Sequence, residues 1–451
     1  MPKTFIDLFA GIGGFHWALA ELDYECLLAV EKDEAAQRVY KKNFPGTKLE
    51  SDIRLITRQE ANDEQTTRST DQIQSYLENK FKIKKGKVGI ICGGFPCQPF
   101  SKSGEQQGAK DATRGTLFHD ILLLTGALQP DYLILENVRN LAGPKHQETL
   151  KTIIQRIKQL GYEIDECPIV LSPHQLDEKY GSPQVRERVF ILAHRKNLKN
   201  AVHPLDIRRT VDKAKKANQP KWRAESVLEK ENPRKYEINE QEQSWIETWE
   251  EFLKLTQSEK LPGFPIWTDE FKEPERKLNG EPKWKRDFIQ KNRAFYRQIT
   301  QTKSQKRAID TWLKKIKGFP ASRRKFEWQA NSAFQWQATG EEQRTLKKLL
   351  IQFRPSGIRV KPATHYPALV AITQTTIVGP QVGNRNCNYF RYITPKEAAK
   401  LQGMPKIDFA GQSDGLSYKQ LGNAVNVGVV RYLAERLTGA VPCEAHQLEF
   451  L

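Results

Sequence analysis

The sequence predicts an α/β protein: a doubly wound, mostly parallel sheet that brings reactive side chains to one edge, joined to a second, smaller domain. Three observations carry that expectation. A strand-like run, Phe5-Ile6-Asp7-Leu8-Phe9, passes through the glycine turn Ala10-Gly11-Ile12-Gly13-Gly14 into a helical pattern with Trp17, Leu19 and Leu22; this is how the first βα unit of such a sheet begins. Successive apolar runs each stop at or just before a chemically capable residue, at Glu31, Cys97 and Glu136. In open α/β sheets ligands gather at that strand edge. From residue 197 to 389 sheet-like apolar runs give way to Lys-Arg pairs and eight of the nine tryptophans. The expected division is therefore a discontinuous first domain, 1–196 with 390–451, and a second domain, 197–389.

In order along the chain, the glycines of the first turn allow a ligand to approach the backbone closely. The second strand, Cys26-Leu27-Leu28-Ala29-Val30, ends in Glu31, about 20 residues past the turn, where a carboxylate grips a ribose hydroxyl pair. That pairing fits an adenosine-containing cofactor. After a helix through Ala35, Val39 and Tyr40, Ser51-Asp52-Ile53 reads as a third strand end offering Asp52 to the base of the nucleotide. Residues 58–87 are polar and mixed in charge, a surface excursion with one short helix around 73–81.

The stretch Gly93-Gly94-Phe95-Pro96-Cys97-Gln98-Pro99-Phe100-Ser101 follows the β-branched run Val88-Gly89-Ile90-Ile91-Cys92. Each proline removes a backbone donor and fixes φ near −65°, so Cys97 is held stiffly, as a nucleophile must be. A buried structural thiol is the commoner fate of a lone intracellular cysteine, and it is the reading for Cys92; the flanking residues reverse it for Cys97. Residues 104–114 have the Gly, Gln and charge content of a covering loop. A helix over 116–128 leads to the strand Asp131-Tyr132-Leu133-Ile134-Leu135, ending in Glu136-Asn137-Val138, and a helix over 149–160 follows. In 184–192, strand alternation places Gln184, Arg186 and Arg188 on one face, so the two arginines address one ligand. The tryptophans beyond are read first as core, although aromatics among basic residues also suit a nucleic-acid surface. Thr394-Pro395 caps a helix with Ala398, Ala399, Leu401 and Gln402, and Leu421-Gly422-Asn423-Ala424-Val425 opens a last helix through Val430 and Leu437.

Composition narrows the partners. The 451 residues carry 72 Lys and Arg against 54 Asp and Glu, a formal charge of +18, which favours a polyanion over a merely solvated basic surface. Six separated cysteines, with no CxxC pair and no histidine cluster, argue against a zinc site or a disulfide framework. No metal is expected. The N-terminus lacks the apolar stretch of a signal peptide and no run approaches a membrane span, so the expected location is the cytoplasm.

Together these motifs resemble the DNA (cytosine-5)-methyltransferase family. The resemblance covers most of 4–195 and 391–437: the FxGxGG turn of 9–14, Glu31, the GFPCQPFS loop, the RGTLF run of 114–118, Glu136-Asn137-Val138, the QxRxR strand, RYITPKEAAKLQG and QLGNAV, in the family's order. It implies a Rossmann-like S-adenosylmethionine-dependent methyltransferase domain with 197–389 as a target-recognition domain. It also implies roles. Cys97 attacks carbon 6 of cytosine, Glu136 meets ring nitrogen 3, and Arg188 with Arg186 holds the 2-oxo group. S-adenosyl-L-methionine lies near Phe9, Gly11, Gly13, Glu31 and Asp52, with Asn423 closing the pocket. The base is flipped out of double-stranded DNA while the stretch from Ser101 through Gly108 closes, Ser103 entering the vacated space. Lys32 stands where the family often has an apolar or aromatic side chain against the adenine. A monomeric bacterial modification enzyme is expected, either with a cognate restriction endonuclease as functional partner or as an orphan without one. Three rivals stand beside this one. An RNA (tRNA) methyltransferase on the same scaffold is opposed by the size of 197–389, a catalytically silent DNA-binding relative by the intact Cys97, Glu136 and Arg188. A nicotinamide-dependent oxidoreductase leaves the cysteine loop unexplained.

Overall fold

A computed structural model describes residues 2–60, 66–96, 116–216, 221–231, 233–271, 278–333, 344–370, 376–383 and 387–440. The chain forms two compact units, one of residues 1–222, 367–373 and 398–451, the other of 223–366 and 374–397. Among the described residues no helix is long and apolar enough to cross a membrane.

The first unit starts with β1 (Thr4–Leu8), α1 (Gly14–Ala20), β2 (Glu25–Val30), α2 (Glu34–Asn43), β3 (Leu49–Glu50), α3 (Ile53–Thr57), α4 (Thr70–Phe81) and β4 (Ile90–Gly94). It continues with α5 (Leu117–Leu128), β5 (Tyr132–Val138), α6 (Gln147–Gln159), β6 (Tyr162–Ile164), β7 (Ile169–Leu171), β8 (Gln184–Val185), β9 (Arg188–Arg195) and α7 (Pro204–Lys216). The main sheet runs β3-β2-β1-β4-β5-β9-β6, with β7 also paired to β9. Strands from β3 to β5 are parallel, whereas β9 is antiparallel to β5, and β6 and β7 to β9. Helices on the parallel strands explain why Phe5, Ile6, Leu8, Ile90, Ile91, Leu133 and Leu135 are all buried: such strands are apolar on both faces. The chain leaves β1 in one direction through β2 and β3, then returns to start β4 on the other side. This reversal opens a crevice beyond the carboxyl ends of β1 and β4.

Local chemistry sets the element ends. The Asp33 carboxylate accepts from the Ala36 N–H at 2.8 Å to start α2, and Ser69 with Gln72 forms a capping box on α4. Three expectations change. Asp52 does not end a strand; its carboxylate caps α3, and β3 stops two residues earlier. The strand expected through 184–192 is broken at 186 and 187, between β8 and β9, so simple alternation does not place Arg186 beside Arg188. Also, α7 belongs to the first unit: Ile207 and Val211 are fully buried and Arg208 pairs with Asp165. Its lysine-rich outer face made it look like part of the basic segment, so the compact unit continues to 222 where composition placed the division at 196.

The second unit contains α8 (Glu240–Leu255), β10 (Ile266–Trp267), α9 (Lys283–Gln298), α10 (Lys303–Ile316), β11 (Lys325–Trp328), β12 (Leu349–Arg354) and β13 (Gly357–Pro362). After β14 (Tyr366–Pro367), whose second residue falls in the first unit, come β15 (Ile377–Val378) and β16 (Arg391–Tyr392). A six-stranded sheet, β10-β11-β13-β12-β15-β16, supports an aromatic core. Trp249 stacks on Phe326 at 4.4 Å and meets Trp312 edge-on at 5.1 Å; Trp249 and Trp312 are fully buried. The core reading holds for Trp245, Trp249, Trp312 and Trp328, whereas Trp284 is exposed. The chain returns through α11 (Pro395–Leu401) to α12 (Asp414–Asn423) and α13 (Val427–Leu437) of the first unit. Leu421-Gly422-Asn423 therefore ends a helix rather than opening one, and Asn426 caps the helix that follows.

Candidate active site

The glycine turn after β1 is shaped by left-handed backbone at Phe9 (φ 55°), Gly11 (φ 56°) and Gly13 (φ 90°). A Cβ on Gly13 would lie 2.3 Å from the Phe44 ring, whereas one on Gly11 would meet nothing within 4 Å. Packing thus requires the glycine at 13, while the one at 11 leaves open space. That space belongs to a cavity of about 410 Å³ whose walls include Phe9, Gly11, Glu31, Glu136, Arg188 and Asn423, of the size that holds a small ligand.

Glu31 is fixed in this wall by the backbone. Its Oε2 accepts from the Gly11 N–H at 2.7 Å and its Oε1 from the Asp33 N–H at 2.7 Å. Each carboxylate oxygen keeps a lone pair for a hydroxyl. Asp52 is differently placed. It lines an adjoining cavity of about 310 Å³ that shares Phe9 and Glu31, and Arg54 grips it with Nε at 3.0 Å and a terminal nitrogen at 2.5 Å. Lys32 adds an ammonium 3.3 Å away. Burial raises the Asp52 pKa, but the Arg54 hydrogen bonds and charge more than offset it, leaving it at about 2.

Across the cavity, Glu136 follows the apolar part of β5, and the Arg188 Nε lies 3.0 Å from its Oε1. Burial pushes the Glu136 carboxyl above its ordinary range, with the charges of Arg188 and Arg186 pulling the other way. In the parallel register Glu136 lies opposite Gly94, and a Cβ there would come 3.1 Å from Glu136 Oε2. The second glycine of the cysteine loop leaves room for this carboxylate.

Arg186 is buried and its guanidinium is committed elsewhere. It donates to the carbonyls of Leu369 at 2.7 Å and of Gly422 and Ala424 at 2.8 Å each. It pins the segment holding Asn423 and does not line the cavity, so the expected pairing of two arginines on one ligand is absent. Burial and the Arg188 charge lower its pKa to about 9.

Asn137 belongs to one of the sequence motifs but had no expected role. Its Nδ2 donates to the Phe95 carbonyl at 2.9 Å and its Oδ1 accepts from the Val138 N–H at 2.8 Å, tying the end of β5 to backbone two residues before Cys97. Phe118 of the RGTLF run packs on Phe95, ring centres 5.6 Å apart. Beneath the turn is a buried group that sequence reasoning missed, Asp7. Burial, then the Glu31 charge, holds its carboxyl well above the carboxylate range, and its Oδ2 has no hydrogen-bond partner among the described residues. A core strand position gave no signal for it. Cys97, Ser101 and Ser103 lie outside the described residues. Among the described residues no cluster of His, Cys, Asp and Glu could hold a metal ion.

The site therefore offers an open glycine backbone, a carboxylate for a hydroxyl pair, and across the cavity a carboxyl with a raised pKa beside a guanidinium. Comparisons with known proteins give the family. The family model for C-5 cytosine-specific DNA methylase matches residues 3–439. The type II methyltransferase M.AluI of Cellulosimicrobium cellulans is 34% identical, over 95% of this chain and 91% of its own. M.HpaII of Haemophilus parainfluenzae, also named a type II methyltransferase, is 38% identical over 43% of this chain and 46% of its own. The crystal structure of S. pombe Dnmt2 methyltransferase shares the fold, with a TM-score of 0.51, 16% identity, and coverage of 97% of this chain and 98% of that one. The chain belongs to the C-5 cytosine-specific DNA methylase family and is a DNA cytosine methyltransferase.

Proposed function

We propose that the chain transfers the methyl group of S-adenosylmethionine to carbon 5 of a cytosine flipped out of a specific duplex DNA sequence, as a cytoplasmic, monomeric modification enzyme. The observation that carries this reading is the single cavity lined by Gly11 and Glu31 on one side and by Glu136 and Arg188, 3.0 Å apart, on the other.

S-adenosylmethionine supplies an electrophilic methyl on a sulfonium. The fit rests on the open face of Gly11 and on Glu31, whose carboxylate is aimed by two backbone N–H groups and is the acceptor a ribose needs. Phe9 and Glu31 line both cavities, which supports reading Phe9 as the side chain against the adenine, and Asn423 stands exposed in the larger one. Asp52 is the weakest member of the set, since its oxygens already serve Arg54.

On the base, the Cys97 thiolate adds to carbon 6 and makes carbon 5 nucleophilic. A free thiol titrates near 8.5, so the site must favour the thiolate or form it as attack proceeds. Electron density then moves toward ring nitrogen 3, where Glu136 places a proton; its raised pKa suits a donor. Arg188 orients Glu136 and holds the 2-oxo oxygen. Loss of the carbon 5 proton, then of Cys97, releases the product. Arg186 does not touch the base and keeps Asn423 in place. Extrusion of the base costs a few kcal/mol of unstacking, offset by phosphate contacts from the second unit, read as the target-recognition domain, and by Ser101 and Ser103 near the vacated space. The relatives' names as type II methyltransferases support a restriction-modification setting with a cognate endonuclease as partner.

Labelled S-adenosylmethionine with mixed-sequence duplex DNA tests the reading. Label at cytosine carbon 5, with bisulfite sequencing returning one short motif, is the expected result; label on RNA alone or on adenine would refute it.

A further inference from the structure

The charge of the chain is concentrated. Residues 283–366 hold 21 Lys and Arg against 5 Asp and Glu, a surplus of 16 in a chain whose total is +18. Residues 223–282 hold 9 against 15, so the two halves of the second unit have opposite sign.

The sheet organises part of that surplus. On β11, β12 and β13 the inward residues Phe326, Trp328, Ile351, Phe353, Ile358 and Val360 are buried in the aromatic core. Alternation then sends Lys325, Glu327, Gln352, Arg354, Arg359 and Lys361 to the other face. Register brings them together: Glu327 is opposite Arg359 on one side, and Gln352 is opposite Arg359 on the other. One carboxylate serves two guanidiniums, since Glu327 Oε2 lies 2.8 Å from Arg359 Nε and 3.8 Å from an Arg354 terminal nitrogen. Lys325 lies over the Trp267 ring at 4.9 Å. Like charges side by side on a sheet repel, and the cost is visible: burial and the Arg359 charge hold both Arg354 and Lys361 below their ordinary pKa ranges. Three cations, Arg354, Arg359 and Lys361, gather around Glu327, the carboxylate that faces them among the described residues, and the arginines remain 38% and 27% exposed.

We propose that this outward face, Arg354, Arg359 and Lys361 around Glu327, seats the phosphate backbone of duplex DNA. The proposal rests on the reading of DNA as substrate. A fork of guanidiniums already sharing one carboxylate oxygen is shaped for a phosphate oxygen, and a phosphate relieves the repulsion that Glu327 alone leaves. Phosphate contacts position the duplex and carry no sequence information, so the face tunes affinity and leaves the methylated motif unchanged.

The test is binding of the full chain to mixed-sequence duplex DNA over a range of salt. The double variant R354Q/R359Q should bind at least about tenfold more weakly at low salt, its slope of log K against log salt reduced by about 0.9 for each phosphate it no longer neutralises. R354K/R359K should recover most of the affinity, because a phosphate accepts a point charge where a base edge requires the planar fork. E327Q should bind more tightly and with a steeper slope. Bisulfite sequencing should return the same motif for all four proteins, and thermal unfolding and cofactor binding should show the R354Q/R359Q variant folded. Wild-type binding by that folded variant, or a changed motif with an unchanged slope, would overturn the proposal. No DNA binding by the wild type at any salt would instead remove the substrate reading beneath it.

Discussion

Two carboxyl groups of the first unit are held above the ordinary carboxylate range, and each predicts a measurable outcome. Glu136 has the company of a donor: one guanidinium at 3.0 Å and a glycine that leaves it space. Its replacement, Glu136→Gln, should lower kcat by about 10²–10⁴, the usual contribution of a positioned proton donor. Cofactor affinity, measured by calorimetry, should hold. Asp7 has no guanidinium beside it, only the Cys92 thiol on its Oδ1 and the His16 backbone N–H, and it lies outside the cavity lining. A carboxyl whose folded pKa lies above its unfolded value contributes stability that is complete below the unfolded pKa. That stability is lost as pH rises, by about 1.4 kcal/mol per unit, until the folded pKa is passed. Asp7→Asn, which stays neutral, should therefore melt at a temperature that exceeds the wild type's by a margin widening from pH 4 upward; a margin constant with pH would mean that Asp7 is ionised in the fold. The glycines separate in the same way. Gly13→Ala should destabilise the protein by about 1–3 kcal/mol through strain and collision with Phe44. Gly11→Ala, which meets open space, should weaken cofactor binding in titration more than it lowers the melting temperature.

Between residues, the elements decide what a motif means. The QxRxR run looked like one strand with two arginines on one face, but the break at 186 and 187 sends Arg188 to Glu136 and Arg186 to three carbonyls. Arg186→Lys should fail to rescue what Arg186→Met loses, because an ammonium cannot span three fixed acceptors. Both variants should raise the KM for S-adenosylmethionine by loosening the Asn423 segment, and both should lower the melting temperature; an effect on kcat alone would place Arg186 on the base instead. The parallel strands were legible because buried on two faces they read as continuous apolar runs, and Glu31, Glu136 and the glycine turn were legible because each interrupts such a run. The second unit's sheet was not. Its strands are two to six residues long, and their outward charges, Lys325, Glu327, Arg359 and Lys361, disguise the alternation beneath. The helix boundary at Asn423 was missed for another reason: two helices meet there with only Ala424, Val425 and Asn426 between them, too short a gap for composition to mark.

At the scale of the molecule, the sequence separates chemistry from charge. The first unit gathers Glu31, Glu136 and Arg188, the groups proposed to hold cofactor and base, at the crevice where strand order reverses, while the second carries most of the net charge in residues 283–366. Length and composition made two domains legible but not the place of α7, whose burial of Ile207 and Val211 is a tertiary fact. The central claim is that Cys97 forms a covalent bond to carbon 6 of a cytosine in duplex DNA. It is tested most directly by incubating the chain with S-adenosylmethionine and a duplex bearing 5-fluorocytosine in the methylated motif, then digesting and sequencing the trapped peptide by mass spectrometry. Fluorine cannot leave as a proton does, so the account predicts a stable adduct on Cys97, absent from Cys97→Ala. No adduct, or one on any other residue, would contradict it.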